Sequence, residues 1–412
     1  MTLDLKKVLM QIHGLETSEL LENNEKRLEL TWRLFQDTCS NKEAFLKKLA
    51  ETSSGKKANF FFSLPQPQEN EPIEKLITCP QQDNFNLPHI TIATDGSQIN
   101  PSAHEFTNAC LINVGLIGIP YFKKDIPVIL SSEPSVYNSL DEINPQAEAE
   151  NIQSEDLISY ERTLKEIEEI VKLAKIYKKH GLPVVALLDG TLIHWHLEKF
   201  NNSFIELFIK RFSEAMLELK SLNIPVASFL SNSRSNDIIN SLRIYKCPYD
   251  AVDCKKYCSN LSSKNLPCNP TVNYKPVLDR RLIEKVMADK NAEAGFRTIL
   301  FKSNSKILNY YPEDLKIFFF YINTGTEIAR VELPSYAAND KKLLELIHNM
   351  VAFQCRVGFG YPLVLSEAHL QAVIGKADRQ VFYDLIKEHL LKNHKTQVKI
   401  SSKELKKRIS FV

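Results

Sequence analysis

The first 55 residues carry apolar side chains at the spacing of amphipathic helices. Leu5, Val8, Leu9 and Ile12 recur with helical periodicity, and a second apolar stripe follows between Leu20 and Phe35. Residues 65–86 are polar and contain proline and glutamine, which is typical of a linker. This pattern predicts an N-terminal helical region over residues 1–64, serving either as a docking surface or as a cap on the core.

Beyond residue 87 the pattern changes to short apolar, β-branched runs that alternate with amphipathic helices. The predicted strands are 89–94, 109–119, 184–188, 225–230, 297–302, 316–322 and 327–333. The predicted helices are 154–179, 202–222, 235–244, 279–290, 341–353 and 377–391. Strands that alternate with helices indicate an α/β domain over 87–391, with at least some parallel strands.

Two stretches break this rhythm. Residues 127–151 are acidic and contain two prolines, so they predict an irregular excursion over the surface. Residues 245–275 show little periodicity and predict an insertion. That insertion contains four cysteines, Cys247, Cys254, Cys258 and Cys268. Four thiolates can hold zinc or an iron–sulfur cluster, and the alternative is a loop with incidental free thiols.

Two of the predicted strands are followed by nearly the same motif. Residues 90–94 lead into Asp95-Gly96-Ser97, and residues 184–188 lead into Asp189-Gly190-Thr191. A glycine at this place predicts a sharp turn, which would leave each carboxylate at a strand end. Two neighbouring carboxylates repel each other unless they share a cation or a proton. The pair therefore predicts a divalent-metal site for phosphodiester hydrolysis, and the alternative is two structural turns.

A third carboxylate ligand is expected from the helix that precedes the second motif. Of its glutamates, Glu166 lies closest to the apolar face, and Glu161 and Glu169 are the next candidates. His194 and His196 flank Trp195 just after the second motif. If that segment is extended, both histidines share one face. We favour their interpretation as the polar face of a strand beside the site over their interpretation as a pair of metal ligands.

Composition and charge limit the classes of function that the protein can have. The chain has 412 residues, 43% hydrophobic and 25% charged, which is typical of a soluble globular protein. A net charge of +2 means that nucleic-acid binding would need local patches. Residues 392–412 form a lysine-rich tail, either solvated or contacting phosphates. The sequence shows no signal peptide, membrane span or glycine-rich phosphate loop, and its scattered cysteines indicate a reducing, cytoplasmic setting.

The order of these motifs resembles the NurA-type nucleases. The shared series is a strand with Asp-Gly-Ser, a helix with a glutamate, a strand with Asp-Gly-Thr, and a late Tyr-Pro…Glu-Ala-His segment at 361–369. Residues 231–235 (Ser-Asn-Ser-Arg-Ser) and 279–282 (Asp-Arg-Arg-Leu) add to the likeness, which spans about 90–391. No single motif is specific, whereas the ordered set is much more so.

The resemblance implies a ribonuclease H-like mixed sheet flanked by helices, with a site that uses Mn²⁺ or Mg²⁺. It implies 5′-to-3′ exonuclease and single-strand endonuclease activity on DNA. It also implies a homodimer working with a HerA-type hexameric ATPase in DNA end processing and double-strand break repair. Carried over residue by residue, the implied catalytic set is Asp95, Glu166, Asp189, Tyr361 and His369, with Arg234 and Ser97 contacting substrate and His369 also a metal ligand.

Two other functions remain open from the sequence. The first is a non-catalytic nucleic-acid-binding or scaffold protein of the same fold, in which the carboxylates are vestigial. The second is a metal-dependent phosphatase acting on small phosphate esters. Release of nucleotides from single-stranded DNA in the presence of Mn²⁺ would distinguish the nuclease from both.

Overall fold

We describe the protein from a computed structural model. It describes residues 3–14, 17–55, 57–66, 74–78, 87–101, 107–144, 152–270 and 275–392. Most of the predicted linker at 65–86 lies outside these ranges, as does the lysine-rich tail beyond Lys392.

One mixed sheet organises the described part of the chain. Its strands are β1 (Ser63–Pro65), β2 (Leu76–Ile77), β3 (His89–Ile99), β4 (Cys110–Tyr121), β5 (Ile129–Tyr137), β6 (Val184–Asp189), β7 (Val226–Leu230), β8 (Arg297–Thr298), β9 (Phe301–Ser303), β10 (Ile317–Asn323) and β11 (Ile328–Pro334). The spatial order is β1-β9-β10-β11-β7-β6-β3-β4-β5, and β2 pairs with β8 beside β10. The β3–β6 and β6–β7 pairs are parallel, and the other pairs are antiparallel.

Helices cover both faces and one end of this sheet. They are α1 (Leu5–His13), α2 (Thr17–Ser40), α3 (Lys42–Gly55), α4 (Ser154–Lys178), α5 (Asn202–Ser221), α6 (Asp237–Lys246), α7 (Cys254–Cys258), α8 (Asp279–Asp289), α9 (Ser335–Ala338), α10 (Lys341–Val357), α11 (Leu363–Ala372) and α12 (Lys376–Lys392). None of the helices in the described ranges is both long and apolar enough to cross a bilayer.

The core has two layers, one on each face of the central strands. Successive side chains of a strand point to opposite faces, so each central strand feeds both layers. Ile90 and Ala186 pack in one layer with α4 and α5. Ala93 and Leu187 pack in the other with α10 and α11. Burial on both faces explains why these strands read as continuous apolar runs in the sequence.

The N-terminal helices and the cysteine-containing segment build a third core cluster at the end of the sheet. Phe35 of α2 and Leu49 of α3 are buried there against α6 and α8. Cys247 and Cys268 are buried in the same cluster, so the described residues 245–270 share a core with their neighbours. The described N-terminal helices α2 and α3 therefore cap the sheet, whereas α1 buries none of its side chains.

A buried aspartate outside the predicted site set ties α8 to α6. The Asp279 carboxylate accepts the backbone N–H groups of Ile238 and Ile239, at 3.0 and 2.9 Å, in the first turn of α6. Burial raises the pKa of Asp279 to about 7. The Asp-Arg-Arg-Leu motif at 279–282 thus contributes a helix cap from a distant part of the chain.

The first Asp-Gly motif does not end its strand, and that prediction was wrong. β3 continues through Asp95 and Gly96 to Ile99, with Asp95 paired to Gly115 of β4. Gly96 is needed for a close approach: a Cβ there would lie 2.3 Å from Oε1 of Glu166 in α4. The second motif does end its strand, since Gly190 leaves β6 at a φ of 88°.

The stretch predicted to be irregular contains a strand. Residues 129–137 form β5, which pairs with β4 over its whole length. No residue of β5 is fully buried, and Glu133 and Pro134 interrupt its apolar pattern. Charged residues and proline are normal in an edge strand that faces solvent. The apolar periodicity of β5 is therefore too weak to predict a strand from the sequence.

Helix α11 lies directly on β3 and β4 because Gly115 has no side chain. A Cβ at Gly115 would lie 2.3 Å from the backbone oxygen of Ala368 and 2.6 Å from the backbone nitrogen of Ala372. The Asn113 side-chain amide donates to the Ala372 carbonyl at 2.9 Å and fixes the same contact. The position of α11 therefore depends on this glycine.

Replacing Gly115 with alanine is expected to destabilise the fold by about 1–3 kcal/mol, because the helix backbone must move to admit the methyl group. The measurement is the thermal or urea unfolding midpoint of Gly115→Ala. Gly55→Ala is the matched control, since no atom lies within 4 Å of a Cβ built there. Equal midpoints for the two variants would contradict the close packing of α11.

Candidate functional site

Asp95 lies in the middle of β3, on the face that α11 covers. The backbone N–H of Gly96 donates to Oδ1 of Asp95 at 2.8 Å. Nδ1 of His369, from α11, lies 2.7 Å from Oδ2 of the same carboxylate. Both carboxylate oxygens are therefore held by the protein, and the imidazole remains 67% exposed.

Asp189 follows at the neighbouring position of the adjacent parallel strand. Thr94 of β3 pairs with Leu188 of β6, so Asp95 and Asp189 continue this register side by side. The hydroxyl of Tyr361 donates to the Asp189 carboxylate. Burial, opposed by this hydrogen bond and helped by the charge of Asp95, raises the pKa of Asp189.

The ring of Tyr361 is positioned by the next strand of the sheet. It packs edge-on against Phe229, with ring centroids 5.5 Å apart and an angle of 88° between the planes. Phe229 pairs with Asp189 in the β6–β7 register, so strand pairing places the hydroxyl at the carboxylate. Burial, followed by the charge of Asp189, raises the pKa of Tyr361 and keeps its hydroxyl protonated.

Glu166 approaches the two aspartates from α4, on the opposite face of the sheet, where Gly96 leaves room for it. The Thr94 hydroxyl donates to the backbone carbonyl of Glu166 at 2.9 Å and fixes the helix there. Burial raises the pKa of Glu166 to about 8; Asp95 and Asp189 add to the rise, and Arg162 opposes it. The three carboxylates therefore form one electrostatic group.

The other glutamates of α4 have different partners. Arg211 of α5 pairs with Glu161 at 2.6 Å and with Glu168 at 2.7 Å. Lys172 pairs with Glu169 at 2.6 Å. Among the glutamates weighed as the third ligand, Glu166 is thus the one that the structure brings to Asp95 and Asp189.

Arg162 is a residue of this site that the sequence reasoning missed. Its Nε lies 3.3 Å from Oε1 of Glu166, one helical turn away, so a guanidinium occupies the position of a counter-ion. The signal was present in the sequence as an Arg–Glu pair at i, i+4 spacing on α4. It was overlooked because such pairs are common on solvated helix faces.

A buried ion-pair network behind Asp189 was also missed. Oε2 of Glu332 accepts the Thr191 hydroxyl and the Leu192 backbone N–H, both at 2.8 Å. Arg330 donates to Oε1 of Glu332 at 2.8 Å and to Asp237 at 2.7 Å. The sequence signal was two charged residues inside the apolar strand β11, which are rarely buried unless they are paired.

A cleft of about 790 Å³ opens beside Asp189 and Tyr361. It is lined by the segment 231–236, which includes the exposed Arg234, and by Trp195 from the turn after β6. Ser97 lies two residues beyond Asp95 on the same face of β3. Its hydroxyl forms no hydrogen bond with the described residues.

His194 and His196 pack among aromatic rings. The expected extended segment is wrong, because residues 195–199 form a short helical turn. The His194 ring lies edge-on to Phe212, 4.7 Å between centroids, and burial lowers its pKa to about 3. The His196 ring stacks on Tyr160 at 5.3 Å. These contacts give both histidines a packing role.

The four cysteines of the 245–275 segment converge in space. Cys247, Cys254, Cys258 and Cys268 line one small cavity together with Phe60 and Tyr249. Nη2 of Arg243 lies 3.6 Å from Sγ of Cys268, so one thiol already has a cationic neighbour. Burial and the three neighbouring thiols raise the pKa of Cys258.

Each candidate ligand is engaged by a neighbouring side chain. Asp95 is bound by His369, Asp189 by Tyr361, and Glu166 is paired with Arg162. Across the described ranges, no group of three or more His, Cys, Asp or Glu side chains is placed to hold a metal ion. Metal binding at the carboxylates would therefore require these protein partners to be exchanged for the ion.

Comparison with known proteins gives three results. A family model described as the NurA domain matches residues 89–374. None of the curated proteins matches the chain. A search of solved structures matches a crystal structure of NurA with manganese at 12% identity and a TM-score of 0.34, covering 86% of this chain and 98% of that one. Because the family match covers more than half of the sequence, the chain belongs to the NurA family.

Proposed function

We propose that the protein is a divalent-metal-dependent DNA nuclease with 5′-to-3′ exonuclease and single-strand endonuclease activity. The observation that carries the proposal is the meeting of Asp95, Glu166 and Asp189, which come from three separate elements. Membership of the NurA family supports a nuclease. Tyr361 and His369, the two late residues expected from the motif order, contact two of the three carboxylates.

The donor set fits a hard divalent ion such as Mn²⁺ or Mg²⁺. These ions prefer carboxylate oxygens, and Mn²⁺ also accepts imidazole nitrogen. Three neighbouring carboxylates, one of them raised mainly by burial to a pKa of about 8, provide an electrostatic reason to bind a cation, which would favour their charged forms. Asp95, Glu166, Asp189 and His369 would hold the ion after His369 and Arg162 have released their present partners.

When bound, the ion would polarise the scissile phosphate and stabilise the charge that develops on the leaving oxygen. The protein side chains would orient the carboxylates and hold protons beside them. Tyr361 holds a proton at Asp189 and orients that carboxylate, since its own hydroxyl stays protonated. His369 holds a proton between its Nδ1 and Asp95, and its exposed ring can exchange protons with solvent.

We also propose that strands β3 to β7 correspond to a ribonuclease H-like unit. What supports this is their arrangement: β5, β4 and β3 form an antiparallel meander, and β6 and β7 continue it in parallel with β3. Two of the three carboxylates lie on the central strands of that unit, β3 and β6.

We further propose a homodimer that works with a HerA-type ATPase in DNA end processing and double-strand break repair. An ATP-driven step would need such a partner, since the sequence lacks a glycine-rich phosphate loop. Helix α1 supports a docking role because it buries no side chain and leaves Leu5, Leu9 and Met10 more than half exposed.

Asp95→Asn and Asp189→Asn are each expected to abolish Mn²⁺-dependent release of nucleotides from labelled single-stranded DNA. The amide removes a negative ligand while keeping the shape, so the melting temperature without metal should stay near that of the wild type. Asp125→Asn, at an exposed surface aspartate, is the control and should retain activity.

The alternatives give different results in the same assay. Full cleavage by both site variants would contradict the metal centre. Binding of DNA by the wild type without any cleavage would favour the scaffold protein. Hydrolysis of a chromogenic phosphate ester, with no action on DNA, would favour the phosphatase.

The pKa of Glu166 predicts how the metal-free protein responds to pH. The folded-state pKa of Glu166, about 8, exceeds its ordinary value of 4.5, so the folded protein holds a proton that the unfolded chain releases. Stability is therefore lost as the pH rises between these two values. In chelator, the melting temperature of the wild type should fall relative to Glu166→Gln from about pH 5 to about pH 9. A difference that does not vary with pH would refute this shift.

We propose that the four thiols, which line one cavity but are not yet placed around an ion, close on a second metal when it binds, with zinc favoured over an iron–sulfur cluster. Protein purified without air should carry about one equivalent of zinc, and Cys254→Ser with Cys258→Ser should lose it. Cys39→Ser, on helix α2, is the control and should retain the metal. Less than about half an equivalent of zinc and iron together would count against the site.

A further inference from the structure

We propose that the cleft beside Asp189 takes an unpaired DNA strand whose bases stack on two exposed aromatic rings: Trp195, which lines the cleft, and Phe359, which precedes the lining residue Tyr361 by two positions. This proposal rests on the proposed nuclease function and names the form of its substrate. Neither ring belongs to the predicted catalytic set. Both are attached to segments that carry catalytic residues, Trp195 six positions after Asp189 and Phe359 two positions before Tyr361.

The Trp195 ring is held outward by its neighbours. It lines the cleft and remains 57% exposed. Its backbone N–H donates to the Ile193 carbonyl at 2.8 Å, while the flanking rings of His194 and His196 pack against Phe212 and Tyr160. With both neighbours directed into the core, the indole face is presented to solvent at the edge of the cleft.

Phe359 is 93% exposed and has a φ of 56°, in the turn between α10 and α11. A bulky residue in the left-handed region is strained, and glycine or asparagine would relieve that strain. The turn is well fixed, since the Gly360 N–H donates to the Cys355 carbonyl at 2.7 Å. Phe122 shares the positive φ but has ring contacts with His89 and Phe353, whereas the Phe359 ring has none with the described residues, so its whole face is open to a ligand.

A cation for the phosphate backbone is present in the same cleft. Arg234 is exposed, and its guanidinium has no hydrogen bond or ion pair with any described residue. The loop that carries Arg234 is held in place by Glu327, which accepts the Ser231 hydroxyl at 2.6 Å and the Asn232 N–H at 2.7 Å. The guanidinium is therefore free to contact a phosphate from a fixed position.

The nearby acidic side chains do not cancel this charge. Glu332 and Asp237 also line the cleft, and both are paired with the buried Arg330. The third acid that lines the cleft, Asp189, belongs to the proposed metal centre. With a divalent ion bound there, the cleft would present positive charge to the strand beside the exposed face of Trp195.

Stacking on protein rings selects unpaired bases, because paired bases already stack on their neighbours in a duplex. Each stacked base contributes about 1–3 kcal/mol to binding, and every base has a usable face. The cleft should therefore favour single strands over duplexes and tolerate any base sequence. It would bring an unpaired end or loop to the carboxylates.

The test measures binding of a fluorescent oligo(dT) and of a blunt duplex by anisotropy, in chelator so that no cleavage occurs. Trp195→Ala and Phe359→Ala should each weaken oligo(dT) binding about 5- to 150-fold and leave duplex binding unchanged. Trp195→Phe should retain most of the affinity, because a ring remains. Phe359→Gly should lose affinity while melting no lower than the wild type, since it relieves the positive φ.

Phe122→Ala is the matched control. Phe122 is also an exposed phenylalanine with positive φ, at 52% and 59°, but it follows the end of β4 that pairs with His89, which lies six residues before Asp95 on β3. Its replacement should leave oligo(dT) binding unchanged.

The chain also provides an internal reporter of binding. It contains two tryptophans, and the other, Trp32, stacks on Phe35 at 5.4 Å in the N-terminal cap. In a Trp32→Phe protein the remaining tryptophan fluorescence belongs to Trp195. Unlabelled oligo(dT) should quench it in a saturable manner.

Several results would overturn the proposal. They are unchanged oligo(dT) affinity in both alanine variants, equal losses on single strands and duplex, no quenching of Trp195, or no oligo(dT) binding by the wild type. Because these measurements involve no cleavage, they are independent of the Asp95→Asn and Asp189→Asn assays. Loss of the nuclease assignment and loss of the stacking surface can therefore be told apart.

Discussion

The approach of three carboxylates, Asp95, Glu166 and Asp189, into one partly buried group is the constraint on which the site depends. Parallel pairing of β3 with β6 places the two aspartates side by side, and α4 adds the glutamate from the opposite face. Burial raises the pKa of Glu166 to about 8, and the charges of Asp95 and Asp189 add to the rise. Arg162, Tyr361 and His369 each stabilise one of the three carboxylates through a direct contact.

Two glycines of the central strands allow the helices to come this close. Gly96 admits Glu166 on one face, and Gly115 admits α11, which carries His369, on the other. Asp95 lies next to Gly96 in the chain and opposite Gly115 in the sheet, so both approaches meet at this carboxylate. A single side-chain methyl group at either glycine would separate the elements that the chemistry needs together.

The sequence predicts most of the elements and the ordered set of acids, because buried strands and amphipathic helices leave strong local periodicity. It fails where the deciding contact is distant in the chain. From the sequence, Gly96 predicts a turn, whereas in the structure it leaves room for Glu166 of α4. The sequence does not predict β5, because an edge strand has a polar pattern. The pairing of Glu332 with the Thr191 loop joins residues 141 positions apart, which no local pattern can reveal.

The Arg330 network has a mechanical consequence for the cleft. Glu332 holds the loop after Asp189, and Arg330 joins that glutamate to Asp237 at the start of α6, directly after the segment that carries Arg234. Charges buried in this way resist separation, since an unpaired one would be strongly disfavoured. The loop after Asp189 and the segment that carries Arg234 are thus held in fixed positions relative to one another, and this buried network sets the distance between the carboxylates and the proposed phosphate contact.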